Sequence, residues 1–161
     1  ITFMRVSVTA YVTDTRMNVI YQVDADYNAS VLYRFAPTED LGLNGIVYHE
    51  SGYLLVAGGT TLWKVPVADP TETTQVTLSE ATAGHDGMLW TADGLLAIVS
   101  NSENRVIALT SSDEWATAAL TGVGTYEGQA TTGADVNGEI YVVHPHFADA
   151  DPPSVERVAV Q

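Results

Sequence analysis

Residues 84–109 read GHDGMLWTADGLLAIVSNSENRVIAL: a Gly-x-Asp-Gly corner, a short strand, a turn closed by Gly94, a second strand, a polar loop and a third strand. The same design stands upstream in residues 42–65, GLNGIVYHESGYLLVAGGTTLWKV, and in blurred form across residues 128–143. The corner glycines fall at 42, 84 and 128, and the turn glycines 52, 94 and 138 repeat the same two intervals of 42 and 44 residues. Several short strands per unit at this period make the pattern of a β-propeller blade.

The rest of the chain fits around these units. Residues 1–37 hold VSVTAYVTDT, VIYQVD and SVLYRFA, three strand-like runs rich in Val, Tyr and Ile, separated by DTRMN and ADYNA and closed by Pro37. AYVTDT takes the place of YLLVAG and LLAIVS, and VIYQV that of LWKV and VIAL. The innermost strand then falls in ITFMRVSV, where the corner and the Gly turn are missing, so this blade reads as incomplete at its front. The second blade, residues 41–78, is complete, with TLWKVPV as its third strand and TQVTL as its outer one. The third, residues 83–122, has RVIAL and WATAAL in those places, and Trp90 and Trp115 are expected between blades. The fourth, residues 125–161, runs through TTGADVNGEIYVVH and a Pro-containing loop to SVERVAVQ and stops after a third strand.

No segment keeps a 3.6-residue period, so the class is all-β. The chain reads as a single partial β-propeller domain of about three and a half to four four-stranded blades. Each blade buries its faces only against neighbours, and an open arc leaves two apolar faces wet. A closed four-bladed ring, a ring completed by oligomerisation of two copies, or one half of a six-bladed parent would each remove them.

With 20 acidic and 6 basic residues the formal charge is −14, which opposes binding to nucleic acid or anionic membrane. An acidic balance of this size suits a solvated surface or a cation site. There is no cysteine, hence no disulfide, thiolate nucleophile or Cys-type zinc site. No run approaches the ~20 apolar residues of a membrane-spanning helix. The start, ITFMRVSV, lacks the apolar run and cleavage site of a signal peptide, and a chain opening on Ile1 is expected to be processed or truncated there. Asn28-Ala29-Ser30 is a glycosylation sequon, which favours a secreted setting without fixing the compartment.

The run GLNGIVYHESGYLLVAG…LWKV followed by HDGMLWTADGLLAIVS…RVIAL resembles the SMP-30/gluconolactonase/LRE-like superfamily, above all its plant and fungal calcium-dependent phosphotriesterase-like members. AYVTDTRMNVIYQVD looks like the blade before those two, and IYVVHPHF like the final one. The resemblance implies the carboxyl-terminal half of a six-bladed propeller with a divalent metal, usually calcium, on its axis. By motif, the family's metal-binding Asn from an NG corner is Asn44 and its Asp from a DG corner is Asp86. The family's first-blade Glu has no counterpart in this sequence, and Leu43 and His85 stand where the family has proline.

Read from the residues alone, Asn44 and Asp86 sit at equivalent points of neighbouring innermost strands and should converge on the axis. Their oxygens are hard ligands suited to Ca²⁺, although calcium takes about 6–8 of them. Asn-Gly and Asp-Gly are equally turn formers whose side chains bond nearby backbone. His85 could reach the same channel mouth as an acid–base group, and Glu127, before the degraded third corner, could supply a substitute carboxylate. His144 and His146 in HPHF lack a third and fourth ligand in the pattern and are not read as a metal site. Two functions are therefore carried forward. One is a calcium-dependent hydrolase of lactones or related esters acting on a small molecule, with Asp86 and His85 catalytic and Asn44, Asp86 and Glu127 at the metal. The other is a non-catalytic module for self-assembly or for binding a ligand or protein, plausibly extracellular.

Overall fold

The computed structural model describes residues 1–4, 9–36, 41–148 and 151–161, with the backbone alone for Phe3 and Met4. Residues 5–8 of the expected innermost strand, the closing Pro37 and part of the loop over residues 144–153 lie outside the described residues. Four antiparallel sheets follow one another along the chain. The first joins β1 (Thr2–Met4), β2 (Thr9–Asp14), β3 (Val19–Val23) and β4 (Ala29–Arg34) in sequence order. The second joins β5 (Ile46–His49), β6 (Tyr53–Ala57), β7 (Leu62–Pro66) and β8 (Thr74–Gln75). A two-residue strand, β9 (Thr77–Leu78), precedes the third sheet of β10 (His85–Trp90), β11 (Leu96–Ser100), β12 (Arg105–Thr110) and β13 (Thr117–Thr125). The fourth joins β14 (Thr132–Val136), β15 (Glu139–His144) and β16 (Ser154–Val158). These are propeller blades, and the innermost strand of the first, at Thr2–Met4, forms despite its missing corner.

The repeated glycines have two distinct physical jobs. Gly42, Gly84 and Gly128 at the corners and Gly52, Gly94 and Gly138 at the turns all have positive φ, and no other glycine does. That backbone region penalises a Cβ by ~1–2 kcal/mol, which is why the period is written in glycine. Gly45 and Gly87, three residues after the corner glycines Gly42 and Gly84, are needed for closeness instead. A Cβ on Gly45 would lie 2.3 Å from the Asp86 carbonyl oxygen, and one on Gly87 would lie 2.5 Å from the Thr132 hydroxyl. Thr131 occupies the equivalent place in the fourth blade, where no described blade follows.

The core consists of three seams between blades. Strands β6 and β11 are buried at every residue, so they read as apolar runs instead of alternating ones. Leu54 and Val56 point to the first blade, with Tyr11, Ile20 and Phe35. Tyr53 and Leu55 point the other way, onto Leu96, Ile98, Ile107 and Trp115. Ala97 and Val99 in turn meet Ile140, Val142 and Val158. Trp90 and Trp115 lie in the middle seam with ring centroids 5.6 Å apart, and the Trp90 indole N–H donates to the Tyr48 carbonyl at 2.9 Å.

The expected outer strand TQVTL is divided between two blades. Thr74–Gln75 pairs with β7, whereas Thr77–Leu78 runs parallel to the start of β13 in the next blade. Val76, 1% exposed, is the buried pivot between them. The carboxyl end makes a similar crossing: Gln161 and Val123 exchange both backbone hydrogen bonds, at 2.9 and 3.2 Å. Gly122 and Gly124 make room for residues 159–161, since a Cβ on either would lie within 2.8 Å of that segment.

Gly87→Ala should lower stability by ~2–3 kcal/mol through overpacking against Thr132. Gly94→Asn should stay within ~0.5 kcal/mol, because its position is open and asparagine tolerates positive φ. Urea unfolding of both variants checks the contrast.

Candidate functional site

Successive blades are tied together at their corner ends. The Thr13 hydroxyl donates to the Asn44 carbonyl at 2.6 Å, the Gly45 N–H to the Asp86 carbonyl at 2.9 Å, and the Gly87 N–H to the Thr131 carbonyl at 2.8 Å. This chain of bonds brings the corners of blades two, three and four side by side. The Asn44 side chain lies within reach of the Asp86 carboxyl, with Asn44 exposed and Asp86 half-buried. Burial pushes the Asp86 carboxyl up to about 6, and the Asn44 amide, which favours the charged form, only partly opposes it. A carboxyl near 6 exchanges protons close to neutral pH.

Tyr126 stands in the seam beside this pair. Its phenol is pushed up to about 12, first by burial and then by the negative charge of Asp86, and its O–H donates to the Ser100 carbonyl at 3.1 Å. The ring of His144 meets Tyr126 edge-on at 5.5 Å. His144 is 4% exposed, and its Nε2 lies 3.1 Å from a carboxyl oxygen of Glu156 on β16. The corner end of blades two to four thus carries Asn44, Asp86 and His144 in turn, with Tyr126 between the last two.

His85 and Glu127 are placed differently. The His85 ring is enclosed between blades, with Nδ1 3.2 Å from the Thr61 carbonyl and Nε2 2.7 Å from the Thr82 hydroxyl. The carbonyl requires an N–H at Nδ1, so Nε2 accepts from threonine and the imidazole is neutral; burial lowers its pKa accordingly. With 3% exposure, His85 is engaged in the seam on both nitrogens. Glu127 is exposed on the loop before the fourth corner. Among the described residues, no three His, Asp or Glu side chains come close enough together to hold a metal ion. Asn44 and Asp86 alone supply two of the ~6–8 oxygens calcium takes. These residues by themselves do not fit a calcium site.

The sequence reading missed Tyr126 and the pairing of His144 with Glu156. One signal was available: His144 stands six residues after Gly138, as Gly58 and Ser100 stand after Gly52 and Gly94. That register puts it at the corner end of a second strand, opposite the fourth corner.

The fold defines a class of protein, the β-propeller, and solved structures share it. No family model matches the sequence, and no curated protein matches it. The chain is similar to the allergen Mala s 1 of Malassezia sympodialis at 18% identity and a TM-score of 0.77, covering 98% of this chain and 54% of that one. It is similar to a streptogramin B lyase at 13% identity and a TM-score of 0.69, covering 99% and 52%. A luciferin-regenerating enzyme follows the fold at 14% identity and a TM-score of 0.60, covering 88% and 51%. The chain spans about half the length of these structures. At such identities the likeness is one of fold, and at that level the resemblance to SMP-30/gluconolactonase/LRE-like propellers holds.

The raised Asp86 pKa makes a stability prediction. Its folded value of about 6 lies above the 3.8 of an unperturbed aspartate, so this contribution to stability is complete below pH ~3.8 and is lost as pH rises through ~6. Asp86→Asn should therefore be more stable than the wild type at pH 8, by on the order of 1 kcal/mol once partial solvent screening is allowed for. The gain should vanish at pH 4. Urea unfolding at the two pH values measures it.

Proposed function

We propose that this chain forms part of a propeller hydrolase, with a site at the corner end where Asp86 handles protons and Asn44 orients a small ester or lactone. The observation that carries the reading is the convergence of Asn44 and Asp86 from neighbouring blades, with the carboxyl pushed up to about 6. A carboxyl with that pKa can take a proton from an attacking water and return it to the leaving oxygen. The Asn44 amide, exposed beside it, can donate to a carbonyl oxygen. Propeller enzymes among the similar folds, a lyase and a luciferin-regenerating enzyme, support a catalytic use without specifying the reaction.

Calcium is the ion that the family resemblance implies. The described residues leave most of its shell unfilled, so the proton chemistry above does not depend on it. Calorimetric titration of the chain with Ca²⁺ should show no uptake tighter than ~10⁻⁴ M. Opening of a δ-lactone, followed by acid release, should slow by ~10²-fold in Asp86→Asn. An unchanged rate would overturn the hydrolase reading.

A second reading, a propeller module that self-associates, is favoured by the two end blades. The outer face of the first blade presents Val12, Tyr21 and Val31 in register, with Val31 48% exposed. The outer face of the fourth presents Ala134, Val136, Tyr141, Val143 and Val155, with Val136 49% and Val155 65% exposed. Apolar sheet faces of this kind are buried by neighbouring blades in a closed ring. A second copy of this chain, joined end blade to end blade, would cover both. Light scattering should give twice the chain mass, and Val136→Glu with Val155→Glu should return it to the monomer; a wild-type monomer would sink this reading.

A further inference from the structure

We propose that His144, held by Glu156, is a second proton-transferring group of the corner-end site, working through its Nδ1. The proposal rests on the hydrolase reading above and adds a residue outside the glycine corners.

Four observations support it. His144 is 4% exposed, so the imidazole is held in the seam and not on the surface. Its Nε2 has a partner, the Glu156 carboxyl at 3.1 Å, donated across the β15–β16 pair in which His144 lies opposite Ser154. Its Nδ1 has no further hydrogen bond among the described residues and faces the fourth corner, where a Cβ built on Gly128 would stand only 3.7 Å away. Gly128 has φ +83, a conformation that favours glycine, and the missing side chain leaves space beside Nδ1. The Tyr126 ring, which also feels the charge of Asp86, braces the imidazole edge-on at 5.5 Å.

The chemistry follows from the tautomer. A carboxylate accepting from Nε2–H fixes the imidazole with its lone pair on Nδ1. On an ester or lactone, Nδ1 takes a proton from water as the water oxygen adds to the carbonyl carbon. When the carbon–oxygen bond to the leaving group breaks, the imidazolium returns the proton to the departing oxygen. His144 is the group that would touch the reacting water, and Glu156 positions it.

Two measurements on the whole chain test this. In ¹⁵N-histidine NMR, His144 should appear as the Nε2–H tautomer; Glu156→Leu should mix the tautomers, and Glu156→Gln, whose amide oxygen can still accept, should restore it. A signal showing Nδ1 protonated in the neutral wild type would overturn the proposal. With 4-nitrophenyl acetate as the probe, His144→Gln should lower the rate ~10²-fold, and His49→Gln, in a different seam, should leave it unchanged. A rate in His144→Gln equal to the wild type, or a wild-type rate equal to buffer, would overturn it as well. Loss in His144→Gln with no loss in Asp86→Asn would uphold the dyad and discard the role given to Asp86. Loss only in Asp86→Asn would do the reverse.

Discussion

The structure depends on how closely the innermost strands approach one another at the corners. A backbone N–H of one blade donates to a carbonyl of the next, from Gly45 to Asp86 and from Gly87 to Thr131. Such bonds form only where the donor residue has no side chain, because any Cβ there would overlap the neighbouring blade. Glycine at these points lets the sheets fan out from a common line. The fan creates the three apolar seams, and it also gathers the corner side chains into one region.

That gathering is what makes chemistry conceivable on a chain whose surface is otherwise dominated by scattered carboxylates. Asp86 is one carboxyl among 20 acidic residues, yet it is one whose burial raises its pKa to about 6. Most others are solvated or tied into local turns, as Asp24 is by Asn28 and Asp113 by Thr117, both of which hold the carboxyl low. The same principle separates the histidines. His85 spends both nitrogens inside a seam, whereas His144 spends one on Glu156 and leaves the other facing the corner. Both imidazoles are buried, and they differ in how many nitrogens are already engaged.

Ring closure and site completeness are linked. The end blades expose apolar faces, and the metal that the family resemblance implies would need more oxygens than Asn44 and Asp86 provide. Whatever covers those faces also stands next to the axis and can add groups to it. Were a second copy to cover the end faces, as proposed, the same event would bring a second set of corners alongside the first.

The repeat itself was legible in the sequence because its glycines answer to local backbone sterics: each corner and turn glycine has positive φ, a demand that no neighbour can alter. The apolar runs of β6 and β11 were legible for a similar reason, since burial on both faces removes alternation. Asn44 and Asp86 could be singled out because they ride on those glycine corners. The position of His144 was legible only as a register six residues after Gly138, whereas Tyr126 and the pairing with Glu156 were not, because no short motif connects those residues. The division of TQVTL between two blades was equally hidden, as both halves have the composition of a strand and only the position of the next blade decides where each one pairs. Local backbone constraint wrote the blades into the sequence; which side chains meet at their corners was settled only when the sheets packed.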